Sequence, residues 1–441
     1  MKLPWAGRLA SAWDAVRSSY WFVPGTMAVL AAAAAAGTLE LDARTRAGTF
    51  GDWPLVSDMG VEGARAVLSV VAGSLITVTG VVFSITVVAL TLAASQFGPR
   101  LLRHFMRDTS NQLVLGTFVA TFLFNLLVLW SINEEGEPPY APRLATSMGV
   151  ALGVISLFVL IYFIHHAARS LQASSIIASV GSEIDDALGS LFPDELGHGR
   201  RAGREPDEAL RARLRREGMP VCASSVGYVR VVDEEGLLSV ACDADLVIGL
   251  AHRPGDFVAG SGTLAWVVGE GADAERVKAV RECFVLGAQR TPVQDLSFLT
   301  RQLTEMAVRA LSPGVNDPFT AVACVHRLGA ALARLADRAM PDALRYDEHD
   351  VLRTVVLDPI DFGTLVESMF GPIRRYGAKD ADVMVAVLGA IAGAAARTDA
   401  PERLRALRAF AQELRGESLR NLQVESERRR LEHAFTQVTA T

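Results

Sequence analysis

The stretch that decides the fold runs from Ala66 to Phe97 and reads AVLSVVAGSLITVTGVVFSITVVALTLAASQF. It contains no Asp, Glu, Lys or Arg. As an α-helix it would be about 48 Å long, whereas the hydrocarbon core of a bilayer is about 30 Å thick. We therefore expect a membrane helix that tilts or extends beyond the bilayer.

Three other apolar stretches also reach about 20 residues, the length of a membrane helix. They run over Tyr20–Leu39, Asn111–Ile132 and Leu144–Ile164. A cleaved signal peptide is the rival interpretation of the first stretch, but its length and the spans that follow favour a membrane helix. The sequence predicts an α-helical membrane domain of four transmembrane helices over residues 20–168.

The charges divide the chain of 441 residues into two parts. Residues 1–169 contain 21 charged side chains, whereas residues 170–441 contain 32 basic and 39 acidic ones. The second part therefore lacks the basic surface of a nucleic-acid-binding protein. All four cysteines lie in it without closely spaced pairs. That pattern argues against a zinc cluster or a disulfide framework, and it fits a reducing cytoplasm.

Loop charges predict the orientation of the spans. Basic residues dominate the predicted cytoplasmic N-terminus 1–19, the basic segment 99–107 between the second and third spans, and the residues directly after the fourth span. The other two loops contain more acidic residues. By the positive-inside rule, we expect a multi-pass protein of the bacterial inner membrane with both termini in the cytoplasm.

Small and hydroxylated residues recur along the second span at intervals of three, four or seven positions. We call this set the small-residue stripe: Ser69, Gly73, Thr77, Gly80, Ser84, Thr91 and Ser95. Such a stripe either lets helices pack closely or lines a water-filled pore. Asn125 in the third span has two similar interpretations, a hydrogen bond to a neighbouring helix or a position on a water or ion path.

The cytoplasmic part is predicted to be an α+β domain in three regions: a helix and linker over 169–220, a small β-barrel over 221–270, and a mainly helical domain over 271–441. Alternating apolar residues predict strands at 226–232, 237–242, 245–252 and 263–268. The Arg253–Val258 run resembles half of the motif of biotinyl and lipoyl carrier domains. No Lys lies between Lys2 and Lys278 to bear such a group, so a carrier role is excluded.

Two polar turns in the helical domain are candidates for a ligand site. Arg290 and Arg301 have the charge to hold an anionic group. Asp295, Asn316 and Asp317 have oxygen atoms that suit a cation or sugar hydroxyls. The alternative interpretation is structural, because Asp317 is a good helix N-cap. The sequence contains no catalytic triad order, nucleotide loop or His-rich metal motif. It therefore favours a protein that is not an enzyme, with no cofactor and no metal.

Several runs along the chain are distinctive: FSIT at 83–86, SQFGPRLL at 95–102, NQLVLGTF at 111–118, the Arg253–Val258 motif and the Ser312–Ala321 turn. They resemble a family of bacterial predicted membrane proteins known as domain of unknown function 2254. The resemblance covers nearly the whole chain and is clearest between Thr79 and Leu129. It implies four membrane helices and a large cytoplasmic region. It implies no activity, substrate or catalytic residues.

These observations support two hypotheses of function. The first is a homo-oligomeric ion channel or passive pore, which the second span lines and the cytoplasmic domain gates or assembles. The absence of charged residues within the spans argues against a coupled transporter. The second is a membrane-anchored sensor or scaffold whose cytoplasmic domain binds a small anionic ligand or a protein partner. Both place the protein among membrane lipids.

Overall fold

The computed structural model describes residues 21–44, 60–98, 108–133, 140–170, 172–192 and 206–440. The predicted N-terminal segment 1–19, the basic segment 99–107 and most of the predicted linker, residues 193–205, lie outside the described residues. The described chain divides into two compact units, one that ends at Gln172 and one that begins at Ala173.

The described part of the first unit consists mainly of long helices, and each overlaps one predicted span. They are α1 (Phe22–Arg44), α2 (Val61–Phe97), α3 (Thr109–Ser131) and α4 (Arg143–Ser170). The central helix is α3, which packs on the other three. Its side chains Phe118, Phe124 and Val128 are completely buried. The long apolar stretches of the sequence therefore correspond to the helices, and side chains of α3 form much of the core that the helices share.

Carboxylates link the ends of these helices. The Asp42 side chain, near the end of α1, accepts a hydrogen bond from the Leu144 backbone N–H at 3.1 Å and thereby caps α4. Asp108 caps α3 by accepting from the Ser110 backbone N–H at 2.9 Å. Its other oxygen lies 2.7 Å from Nε2 of His166 in α4. These contacts satisfy N–H groups that a helix start leaves without an internal partner.

The second unit contains helices and short strands. Its helices are α5 (Ala173–Leu191), α6 (Glu208–Glu217), α7 (Glu234–Asp243), α8 (Ala274–Glu282), α9 (Leu296–Ala310), α10 (Pro318–Asp337), α11 (Phe362–Gly377), α12 (Ala381–Ala395), α13 (Pro401–Asn421) and α14 (Glu425–Ala440). Its strands are β1 (Met219–Cys222), β2 (Gly227–Val232), β3 (Val247–Leu250), β4 (Phe257–Val258), β5 (Thr263–Val268), β6 (Phe284–Gly287), β7 (Leu344–Tyr346) and β8 (Leu352–Val356).

The strands form two open sheets rather than the predicted barrel. The larger sheet has the order β1-β5-β3-β8-β7, in which β3 and β8 are parallel, and the smaller has the order β4-β2-β6. Over the described range 206–440 neither sheet closes, and the larger sheet takes β7 and β8 from outside residues 221–270. The strand predicted at 237–242 is also wrong. Those residues belong to α7, which Asp233 caps by accepting from the Gly236 N–H at 3.0 Å.

Five described helices are long and apolar enough to cross a membrane by length and composition, namely α1 to α4 and α10. Half of the most apolar window of α10 is buried inside the second unit. Cys324, Leu328 and Leu332 on this helix have no exposed surface. The protein core thus accounts for the apolar residues of α10, and the four spans of the first unit stay a prediction.

Candidate functional site

The small-residue stripe faces away from the bundle in the single chain. All seven of its residues are exposed. The buried residues of α2 form a different row, which comprises Ala64, Leu68, Ala72, Leu75, Val82 and Ala93. With 3.6 residues per turn, the centre of the stripe lies about 160° around the helix axis from the centre of this row. The α2 residues that pack within the described bundle are therefore not those of the stripe.

The exposed face of α2 has open space at the two glycines of the stripe. A Cβ atom added at Gly73 or Gly80 would meet nothing within 4 Å. Val81 and Phe83, about half exposed, lie on either side of the stripe, about 75° and 85° around the axis from its centre. An open face of this kind can accept a neighbouring helix, or it can face a water path in a ring of subunits.

Three hydroxyl groups of the stripe, those of Thr77, Thr91 and Ser95, bond to their own helix. Thr77 Oγ1 donates to the Gly73 carbonyl at 3.1 Å, and Thr91 Oγ1 donates to the Val87 carbonyl at 2.9 Å. Each hydroxyl hydrogen is thereby satisfied in apolar surroundings, while the oxygen keeps its capacity to accept. The stripe is chemically suited to an apolar neighbour and to water alike.

Asn125 lies in the interior of the bundle, apart from the stripe. It is completely buried, and its Nδ2 donates to the Thr121 carbonyl of its own helix at 2.7 Å rather than to another helix. Its Oδ1 has no hydrogen-bond partner among the described residues and lies where a Cβ on Gly149 of α4 would be 2.5 Å away. Ser156 Oγ of α4 donates to Thr121 Oγ1 at 3.2 Å. The structure therefore places Asn125 in a small polar cluster between α3 and α4.

Arg290 and Asp295 form an ion pair at the start of α9. Nε and Nη2 of Arg290 lie 2.8 and 2.6 Å from Oδ2 of Asp295, whose side chain is 4% exposed. Oδ1 of Asp295 accepts from the Phe298 backbone N–H at 2.9 Å and caps α9. Burial raises the pKa of Asp295, while Arg290, then the Phe298 backbone N–H and then Arg301 oppose that rise. The guanidinium charge predicted to hold an anion is therefore already balanced by a carboxylate.

The same turn joins the helices to the smaller sheet. Gln294 pairs with the backbone of Val232 in β2, since its Oε1 accepts from the N–H at 2.8 Å and its Nε2 donates to the carbonyl at 3.1 Å. Gly255 has φ +95°, and a Cβ there would be 2.3 Å from Oδ2 of Asp295. We call this contact the β–α joint. The sequence singled out the Arg253–Val258 motif and the turn that contains Arg290 and Asp295, but it did not predict that the two are in contact.

Asn316 and Asp317 lie beyond the opposite end of α9, about 22 Å along the helix from Asp295. Asn316 adopts a left-handed φ of 51°. Asp317 accepts from the backbone N–H of Thr320 at 3.1 Å and from its hydroxyl at 2.5 Å, which confirms the predicted N-cap. The structure does not bring the five predicted ligand residues together, and each turn is a separate candidate. No three His, Cys, Asp or Glu side chains of the described residues are grouped as metal ligands would be.

These features define a helical membrane protein with a second unit of helices and two sheets. The chain belongs to the family described as predicted membrane protein (DUF2254), which matches residues 17–393. This confirms the resemblance seen in the sequence.

Similar proteins include uncharacterized proteins of Mycobacterium bovis and of Mycobacterium tuberculosis H37Rv, each 34% identical over 346 residues. The matched segment covers 77% of this chain and 65% of each relative. The chain therefore spans just under two thirds of the length of these relatives. No solved structure matches the chain.

Proposed function

We propose that the protein is a homo-oligomeric channel or passive pore of the bacterial inner membrane, with four spans and both termini in the cytoplasm. The observation that carries the proposal is the outward orientation of the small-residue stripe on α2. In a ring of subunits, the stripes would surround the axis while each bundle kept its own core. The second unit would then gate or assemble the ring from the cytoplasm.

The chemistry of α2 suits a passive path. Ala66 to Phe97 contains no charged residue, so the path would have no fixed site for a coupled proton or ion. Hydroxyl groups can line a water path, and apolar sections can close it by dewetting. The other interpretation of the stripe, close packing between subunits, predicts an oligomer without a water path.

Ionic conductance of the full-length protein in planar bilayers tests the pore. Ser84→Trp places an indole in the middle of the stripe and should abolish discrete currents. Phe158→Trp is the matched control, because Phe158 on α4 is 65% exposed and its replacement stays on the outer surface of the bundle. Currents that survive Ser84→Trp would contradict the proposal. So would silence of the unchanged protein over a wide range of voltage, tension and pH.

Thiol chemistry separates a pore wall from a packing surface. A cationic, membrane-impermeant thiol reagent should block currents through Ser84→Cys. The unchanged chain is the control, because its four cysteines all lie in the second unit. If Ser84→Cys resists the reagent and instead forms disulfide-linked dimers on oxidation, the stripe packs subunits together. The protein would then be an oligomer that has no pore.

The sensor or scaffold hypothesis has weaker support. The Arg290–Asp295 ion pair already balances one of the two predicted guanidinium charges, the other being Arg301 on α9, and Asn316 and Asp317 lie at the other end of that helix. A ligand-dependent rise in the melting temperature of the full-length protein, across a panel of metabolites and nucleotides, would favour this hypothesis over the pore.

A further inference from the structure

Several helix ends meet at one end of the helical region. Thr304 Oγ1 in α9 donates to the Met369 carbonyl in α11 at 2.9 Å. Leu311, just after α9, lies 3.2 Å from where a Cβ of Gly377 would stand at the end of α11. The two helices therefore run parallel, and both end here. The α9–α10 turn and the turn between α11 and α12 form this end, which we call the turn end.

The turn end lies on the side from which the chain enters the second unit. Asp185 of α5 pairs with Arg334 of α10 at 2.6 Å, and Arg327 of α10 packs on Gly181 of α5. The two helices are therefore parallel, and the first turn of α5 is level with the first turn of α10. Only two residues, 171 and 172, separate Ala173, the first residue of α5, from Ser170 at the end of α4. The three Cα–Cα steps from residue 170 to residue 173 can span at most about 11 Å.

Large apolar side chains project from the turn end into solvent. Phe319 and Tyr376 are 86% and 62% exposed, the highest values among the large apolar side chains of the described second unit. Val315, four residues before Phe319, is half exposed. The turn that presents it is held by backbone bonds, including one from the Asp317 N–H to the Ala310 carbonyl at 2.8 Å. Val315 is thus presented by an ordered turn, while Phe319 and Tyr376 lie on the ends of α10 and α11.

Positive charge accompanies the aromatic side chains. Arg375 and Lys379 flank Tyr376 and are exposed. The carboxylates nearest in sequence, Asp317 and Asp380, act as helix caps that accept backbone N–H groups. Exposed aromatic groups together with basic groups are typical of protein surfaces at the boundary between water and anionic lipid headgroups.

We propose that the turn end rests on the membrane leaflet at which α4 ends. Val315, Phe319 and Tyr376 enter the headgroup region, while Arg375 and Lys379 contact lipid phosphates. The lipid surface is favoured over other occupants because exposed aromatic and basic side chains together complement anionic headgroups, and because only two residues link α5 to α4 in the sequence. The inference rests on α4 crossing the membrane and does not depend on a pore.

Spin labelling of the full-length protein in lipid vesicles tests this proposal. Serine first replaces Cys222 and Cys242, which are not buried, whereas Cys283 and Cys324 are buried and stay in place. Burial raises the pKa of Cys324 to about 12, so its thiol does not react. A nitroxide is attached at Phe319→Cys. Its collisions with oxygen, which dissolves in lipid, are compared with its collisions with a water-soluble nickel complex.

The matched control is Val226→Cys, because Val226 is 59% exposed and precedes β2, which Gln294 ties to the other end of α9. In vesicles with phosphatidylglycerol, we expect the label at position 319 to collide more often with oxygen and the label at 226 with nickel. Water-like values at both positions would overturn the proposal. Shielding of position 319 from both reagents would also overturn it, because it would indicate a protein contact, such as a second copy of the chain.

The basic residues have their own test. Replacing Arg375 and Lys379 together by glutamine should lower the oxygen preference at position 319 in phosphatidylglycerol vesicles and have less effect in phosphatidylcholine vesicles. An unchanged preference in both lipids would exclude the phosphate contacts. Because the label reports on lipid contact without any current, failure of this proposal is distinguishable from failure of the pore.

Discussion

The β–α joint predicts a reversal in the effect of one substitution. In the unchanged protein, Asp295 is buried, caps α9 and pairs with Arg290. Asp295→Asn keeps an oxygen for the Phe298 N–H but removes the charge that faces the guanidinium group. In an Arg290→Ala background, the same substitution removes a buried carboxylate that has lost its cation. The first change should destabilise the fold, and the second should stabilise it.

The expected magnitudes follow from the burial of the pair. Removing one partner of a buried ion pair costs about 3–5 kcal/mol. Burial already disfavours the Asp295 charge, so the cost of Asp295→Asn comes mainly from the oxygen that accepts from Arg290, which an NH2 donor replaces, and we place it at about 1–3 kcal/mol. Asp295→Ala also loses the cap, for about 1 kcal/mol more. In the Arg290→Ala background, Asp295→Asn should instead stabilise by about 1 kcal/mol, because an unpaired buried charge is removed.

Thermal unfolding of the full-length protein in detergent measures these differences, at roughly 2–4 °C per kcal/mol for a unit of this size. Hydrogen exchange over residues 289–300 shows whether these stability differences arise at the β–α joint. The control is Asp380→Asn, which alters another helix cap, where Asp380 accepts from the Val383 N–H at 3.0 Å. Asn and Asp are equivalent caps, so this change should have little effect. Destabilisation by Asp295→Asn in both backgrounds would refute the reasoning.

Two other predictions concern the second unit. A backbone N–H of the β7–β8 turn and then the Arg353 side chain donate to Asp347 and lower its pKa. Asp347 therefore stabilises the turn at pH values above its ordinary pKa, and that stabilisation is lost as pH falls through the lowered value. The protection factors for hydrogen exchange across β7 and β8, which correct for the intrinsic pH dependence of exchange, should fall on acidification, and Asp347→Asn should remove that fall. Where α10 crosses α12, a Cβ at Gly329 would be 2.6 Å from Cβ of Ala390. Gly329→Ala should thus destabilise the fold by about 1–3 kcal/mol, which thermal unfolding detects as a lower melting temperature. Gly389→Ala is the control, because a Cβ there would meet nothing within 4 Å, and it should be neutral or stabilising.

Local signals in the sequence predicted features that local chemistry controls. The cap at Asp317 was predictable, because its carboxylate bonds to Thr320, only three residues away. The strand predicted at 237–242 was wrong because its apolar alternation is short, and the cap at Asp233 together with the acidic first turn favours a helix. The barrel was wrong for another reason. β3 completes its sheet by pairing with β8, which lies about 100 residues later and has no local signal for that partner.

The candidate sites show the same division. The spacing of the small-residue stripe was visible in the sequence, but its exposure depends on which side of α2 meets α3 and α4. Arg290 and Asp295 stood out as charges in a polar turn. That they neutralise each other and meet Gly255 follows from the way β2 and α9 pack. A ligand site was therefore a reasonable inference from residue types, and the ion pair became visible only in the fold.

The sequence by itself determined the membrane character of the first unit, because long uncharged apolar stretches can satisfy their backbone in a bilayer only as helices or closed barrels, and their length fits helices. Only the tertiary structure decided which side of each helix is buried. It placed Asn125 inside the bundle and the stripe outside it, and it left Phe319 exposed at the turn end. The physical reason is that periodicity specifies a face, whereas the partner of that face depends on contacts between residues far apart in the chain.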